Sequence, residues 1–379
     1  MWATKRSNLV VLSLDACLQR NETMESLVAN RISSARKMAG MSLQDLEDKM
    51  GKYVSRQTLH KYEQGTLKPD SKALYAIAKA LGVAVDYFVS ESTLHVELDK
   101  VEYRKFSTKI SKIEQVSIEE RAKECFTRYF ELEQLINSAV KAEYFTYEKV
   151  ITTAEDAEDA AKELRNSWKL GYDPIPDVVE MLEDKGYKVI ELDAPEGFDG
   201  MKADVGDKKV IVLKKFKQEG EDVVRKRLTA LQELAHHSLE FSKNLTHREE
   251  EKLCHAFASA ILYPADMAIR ELSKDRFHFY QNELKLIKER WGISYTAVFA
   301  RALQLEIIGD YIYKKFNIGY KAKKLHLNEP GRFMSREKPV RMERLVYIGL
   351  SKEILTVNEA AYYLGMSTWK FREQLQQIV

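Results

Sequence analysis

The stretch Ser42-Leu43-Gln44-Asp45-Leu46-Glu47-Asp48-Lys49-Met50-Gly51-Lys52-Tyr53-Val54-Ser55-Arg56-Gln57-Thr58-Leu59-His60-Lys61-Tyr62-Glu63-Gln64-Gly65 decides the first domain. Ser42 stands where a helix N-cap belongs, ahead of Leu43, Leu46 and Met50 at helical spacing, and Gly51 stops that run. Ser55 caps a second short run, Arg56 to Glu63, which Gly65 closes. Upstream, Leu27, Ile32, Ala35 and Met38 keep helical spacing as far as Gly40. Downstream, Pro69 opens a helix with Leu74, Ile77, Ala78 and Leu81 inward, and a fifth helix is expected near Val85. Residues 24–90 therefore read as a bundle of short helices, two of them joined by a tight Gly-containing turn.

These residues resemble the XRE/Cro-type helix-turn-helix family. The likeness lies in Arg36 with Gly40-Met41-Ser42-Leu43, in Val54-Ser55-Arg56-Gln57-Thr58, in Tyr62-Glu63-Gln64-Gly65 with Pro69, and in Ile77-Ala78-Lys79-Ala80-Leu81-Gly82-Val83. In such folds the start of the second helix of the pair enters the major groove, and two copies usually read two half-sites. The resemblance thus implies a double-stranded DNA operator and a homodimer. Arg56 can bond guanine bidentately, Gln57 can bond adenine, and the Thr58 methyl can meet thymine. Ser55 and Lys61 suit phosphate, which positions without specifying sequence.

Composition neither supports nor forbids this reading. Across 379 residues, 60 Lys and Arg oppose 58 Asp and Glu for a net +2, so any DNA site comes from local placement. Residues 24–88 supply it, with ten Lys and Arg against seven Asp and Glu, or +3. Cys17, Cys125 and Cys254 lie far apart, which excludes a disulfide framework and fits a reducing cytoplasm. No apolar run is long enough to cross a membrane. Residues 1–23 pair Lys5 and Arg6 with a short apolar run, Leu9 to Leu14, broken by Asp15. They read as an upstream extension rather than an export signal, with Met24 an alternative start.

Residues 91–150 read as connecting helices. An apolar stripe runs through Val116, Ile118, Ala122, Phe126, Tyr129, Phe130, Leu132, Leu135 and Ile136, a packing face by its spacing. Residues 151–310 form a second domain. Helices are expected over Ala157 to Leu170 and from Asp173-Pro174-Ile175-Pro176 to Gly186. Strands follow at Lys188–Leu192 and Lys209–Leu213, with a turn at Gly197 to Gly200 between them. A helix beginning near Glu221 carries Gln232-Glu233-Leu234-Ala235-His236. A zinc peptidase helix has His-Glu-x-x-His, because residues four apart reach one metal and the Glu takes a proton from the metal-bound water. Here Glu233 and His236 keep their places and Gln232 replaces the first His.

The chain from about residue 95 onward resembles the ImmA/IrrE-type metallopeptidases, in the long form fused to an XRE-type domain. The matching pieces are Tyr103-Arg104-Lys105, Leu164-Arg165 with Trp168-Lys169-Leu170-Gly171, Asp173-Pro174-Ile175 and Phe198-Asp199-Gly200. They continue through Arg227-Leu228-Thr229, Glu251 to Ala258, Leu262-Tyr263-Pro264, Glu329-Pro330 and Arg341. The resemblance implies zinc held by positions 232, 236 and 251, with Glu233 as general base. Glu249 and Glu250 are neighbouring alternatives to Glu251. It also implies regulation of mobile-element or stress genes and a cleaved repressor partner. An amide is a poor zinc ligand beside imidazole, so zinc is expected to be weak or absent. His237, about 100° round the helix, does not restore the geometry.

The expected class is mainly α: an N-terminal helix-turn-helix bundle, an α+β zincin-like domain with a small sheet, and a helical C-terminal region over 311–379. Two functional readings follow. One is a DNA-binding regulator whose peptidase-like domain is a sensor or interaction module. The other is an active zinc endopeptidase that cuts a repressor in cis or in trans. The C-terminal region holds a second helix–Gly turn–helix layout, Thr356 to Phe371, either a DNA reader or a packing or docking element.

Overall fold

The computed structural model describes residues 26–89, 94, 96–103, 110–216, 223–274 and 276–375. The expected extension over 1–23, the Met24 start, and the Arg104-Lys105 part of the motif lie outside the described residues. The chain divides into two compact units, Met1–Val96 with Ile110–Thr127 and Glu97–Lys109 with Arg128–Val379.

In the first unit, α1 (26–38), α2 (Leu43–Lys49), α3 (Arg56–Glu63) and α4 (Ser71–Leu81) surround Ile32, Leu46, Leu59 and Ile77, none of which is exposed. The caps are those the spacing predicts. The Ser42 hydroxyl accepts from Asp45 N while Asp45 returns a bond to Ser42 N, and Ser55 accepts from Thr58 N. Between α2 and α3, Gly51 and Lys52 both take left-handed φ, near +63° and +62°, which turns the chain sharply. Residues 85–88 form one 3-10 turn, Val85–Phe88, in place of the expected fifth α-helix, and its Phe88 seals the core. The first part of α5 (Lys112–Ile136) completes this unit, where Ser117 Oγ donates to Met38 O at 2.7 Å and Arg31 pairs with Glu124 at 3.0 Å.

Arg36 ties this unit together. Its guanidinium grips Glu63 through two bonds of 2.6 and 2.8 Å and donates to Met41 O at 2.7 Å, joining α1 to α3 and to the loop before α2. Arg36→Ala would leave the nearly buried Glu63 carboxylate without its cation. A cost of about 2–3 kcal/mol is expected, as for a hydrogen bond to a charged group. Faster amide exchange across residues 26–88 reads that loss; unchanged exchange rates would refute it.

In the second unit, β1 (Asp99–Tyr103), β3 (Lys188–Leu192), β4 (Gly200–Val205) and β5 (Lys208–Lys214) form one sheet in the order β1-β4-β5-β3. The β1/β4 and β4/β5 pairs are antiparallel and β3/β5 is parallel. Two strands were expected and four are present. β4 begins within the expected turn, and β1 comes from the stretch expected to be connecting helices. β2 (Val150–Ile151) and β6 (Glu240–Phe241) make a short parallel pair.

The helices of this unit are α6 (Ala154–Ser167), α7 (Val178–Asp184), α8 (Val223–Ser238), α9 (His247–Leu262), α10 (Ala265–Leu272), α11 (Gln281–Trp291), α12 (Tyr295–Gln304) and α13 (Asp310–Ala322). They enclose a core that includes Leu164, Leu182, Val189, Ile211, Leu231, Leu234, Phe257 and Trp291. α7 starts later than expected, with Asp177 as its N-cap, because the two prolines before it hold an extended lead-in. The chain closes with α14 (Arg341–Ser351), α15 (Val357–Tyr363) and α16 (Thr368–Gln374). Arg128 in the second half of α5 donates to Tyr362 O at 3.0 Å, at the α15–α16 turn. Among the described residues no helix is long and apolar enough to cross a membrane.

Glu183, at the end of α7, caps α14: its carboxylate accepts from Val340 N at 3.1 Å and Arg341 N at 3.2 Å. Burial raises its pKa to about 7 against the opposing hydrogen bonds. The fold therefore favours the protonated acid. That stability is fully present below the unfolded pKa near 4.5 and is lost as pH rises toward 7. The loss is of order 3 kcal/mol, at about 1.4 kcal/mol per pKa unit. Glu183→Gln keeps an acceptor oxygen but does not titrate. Melts at pH 5 and pH 8 are expected to differ less in the variant than in the parent; an equal difference in both would reject the assignment.

Candidate functional site

The caps that start α3 also set its surface. Leu59 and Tyr62 point into the core, while Ser55, Arg56, Gln57 and Lys61 are exposed and Thr58 is half-buried. The Ser55 and Thr58 hydroxyls lie 2.9 Å apart and bond to each other. Arg56, Gln57 and Lys61 are thus the long side chains that this helix offers to solvent, two cations and one amide. That set matches duplex DNA, where cations meet phosphates and Arg and Gln meet base edges.

The second cluster lies in the other unit, on α8, α9 and β1. On α8, Gln232 and Glu233 are buried and His236 is nearly so. His236 Nε2 lies 3.5 Å from Glu251 Oε1 on α9, and its Nδ1 lies 3.6 Å from both Glu250 Oε1 and Glu102 Oε2. Cys254 Sγ, one turn after Glu251, is 3.7 Å from His236 Nε2. Burial works against the His236 imidazolium, but hydrogen bonds to Cys254 and Glu251 and the Glu233 charge outweigh it and raise its pKa. Burial pushes the Cys254 thiol up. Glu233 packs under β4: a Cβ on Gly200 would lie 2.7 Å from Glu233 Oε1 and 2.8 Å from Thr229 Cγ2.

Sequence comparison bears on the first of these sites. A family model described as "Helix-turn-helix" matches residues 32–88. The chain is also 31% identical over 75 residues to the SPbeta prophage-derived uncharacterized HTH-type transcriptional regulator YonR of Bacillus subtilis (strain 168), a match covering 20% of this chain and 68% of that protein. The chain belongs to the helix-turn-helix family of transcriptional regulators. Its first unit is a DNA-binding domain, and α3 is the second helix of its pair.

Residues 232–251 lie beyond the matched stretch, so their assignment rests on their own geometry. α8 and α9 bring His236, Glu251, Glu250 and Cys254 together. His237 turns away, as its place on the helix requires: its Nε2 faces Val210 O at 3.0 Å, and burial lowers its pKa to about 4. Gln232 does not act as a spare imidazole. Both its amide atoms are buried and have no hydrogen-bond partner among the described residues. The residues present therefore do not fit the three-ligand zinc centre that the peptidase resemblance implies. Sequence reasoning missed Glu102 altogether. It sits on an edge strand, and its approach to α8 arises only when β1 pairs with β4.

Proposed function

We propose that the chain is a transcriptional regulator of a mobile-element or stress-response type. It works as a homodimer on a two-half-site operator in the cytoplasm, with a peptidase-like second unit that serves as sensor or interaction module. The exposed Arg56, Gln57 and Lys61 on a capped α3 carry this reading. The prophage origin printed for the Bacillus subtilis relative supports the mobile-element setting. Arg56 and Gln57 read bases, Lys61 holds phosphate, and Ser55 and Thr58 fix the helix start between them. On this reading the degenerate Gln232 position makes the second unit weak or inactive as a peptidase, whether or not it still meets a repressor protein. Selecting bound fragments from sheared genomic DNA tests the proposal. A recurrent two-fold site with half-sites about one helical turn apart is expected. Enrichment of no sequence over input would reject it.

A further inference from the structure

We propose that Glu102, His236 and Glu250 form a divalent-cation site different from the 232/236/251 set. One ligand atom from each lies within 4.8 Å of the other two, and the three come from β1, α8 and α9. His236 Nδ1 faces both carboxylates at 3.6 Å. That is long for a hydrogen bond. It is close to the roughly 3.4 Å that separates two donors sharing one ion at about 2.1 Å in tetrahedral geometry.

The neighbouring contacts orient the three donors. Lys202 is buried on β4 and holds Glu102 Oε1 at 2.9 Å, which turns Oε2 toward the imidazole. Glu251 stands at the other ring nitrogen, Nε2, at 3.5 Å. A metal-bound imidazole commonly has a carboxylate in that place, fixing the tautomer while the opposite nitrogen binds the ion. Gln232 lies one turn before His236 on the same face of α8. Its buried amide, unpartnered among the described residues, is placed to bond a cation-bound water. Glu102 is half-exposed and gives the ion a route in.

One imidazole with two carboxylates is an oxygen-rich set, suited to a first-row cation of the Mn2+ type. The site gives the sensor reading of the second unit a ligand and rests on that reading only for its biological consequence. Cation binding is measured without DNA, so its failure leaves operator binding untouched.

The test uses the full chain, stripped with chelator, dialysed and titrated with Mn2+, with free ion followed by electron paramagnetic resonance. One equivalent per chain is expected. Glu102→Gln and Glu250→Gln are each expected to weaken binding at least tenfold. Lys202→Met, which removes the partner of the uninvolved Glu102 oxygen, is expected to do less. Each variant is checked by thermal melting. If the parent chain binds no Mn2+, the proposal fails. It also fails if Mn2+ binds but neither Glu102→Gln nor Glu250→Gln alters the affinity, since the ion would then use another set.

Discussion

Arg56→Ala is expected to weaken binding to the selected operator by about 5- to 150-fold at fixed salt, the equivalent of the 1–3 kcal/mol that a bidentate base contact contributes. The side chain is exposed at the first position of α3, and Ser55 fixes that end of the helix by accepting from Thr58 N at 3.2 Å. Gln57→Ala should cost a similar factor at a different base position. The double variant should fall to the level of non-specific binding, because separated base contacts add. Lys61→Ala should behave differently. It removes a phosphate contact, so all sequences weaken together and the salt slope drops by about 1. Competition binding against operators mutated one base at a time separates the two patterns. If the double Arg56/Gln57 variant discriminates operator from scrambled DNA as well as the parent does, α3 is not the reading helix.

The parts legible in the sequence were those decided by neighbours in the chain. Caps at Ser42 and Ser55, with glycine stops at fixed offsets, located α2 and α3 within a few residues. The i and i+4 places of Gln232 and His236 on α8 followed from helix geometry alone. What stayed hidden depends on distant pairing. β4 is buried along Gly200 to Ala203 between two partner strands, so it shows no polar–apolar alternation and read as a turn. β1 becomes a strand by pairing with β4, which carries Glu102 opposite Lys202. α13 buries none of its residues fully, and so offered no strong apolar stripe. The cluster around His236 was half legible: Glu250 and Glu251 came from a visible run of acids, whereas Glu102 comes from far upstream.

Arg227→Met is expected to destabilise the second unit by about 3–5 kcal/mol, a large share of the 5–15 kcal/mol that holds a typical domain together. Arg227 and Glu337 are both fully buried and bonded to each other. The guanidinium also donates to Ile175 O at 2.7 Å and lies 4.2 Å from the centre of the Phe333 ring. Glu337 in turn accepts from Val178 N at 3.0 Å and Val179 N at 3.1 Å, so it supplies a carboxylate to the first turn of α7. One pair thus connects α8, the lead-in to α7 and the segment before α14. Removing only the cation leaves a buried anion whose remaining partners are neutral. Burial already raises the Glu337 pKa against the pull of Arg227, so the carboxyl would take up a proton and lose part of its hold on α7. Glu337→Gln added to Arg227→Met removes that stranded charge and keeps an amide oxygen for the α7 N–H groups. The double variant is therefore expected to be more stable than Arg227→Met alone by about 1–3 kcal/mol, a coupling typical of residues in one network. Trp168 and Trp291 are buried in this unit, so urea unfolding followed by tryptophan fluorescence reports it. A double variant as unstable as the sum of the two single changes would show that the pair does not act as a unit. α8 carries both Arg227 and His236, and the same variants are expected to disturb the cluster around His236 only where they loosen the start of that helix.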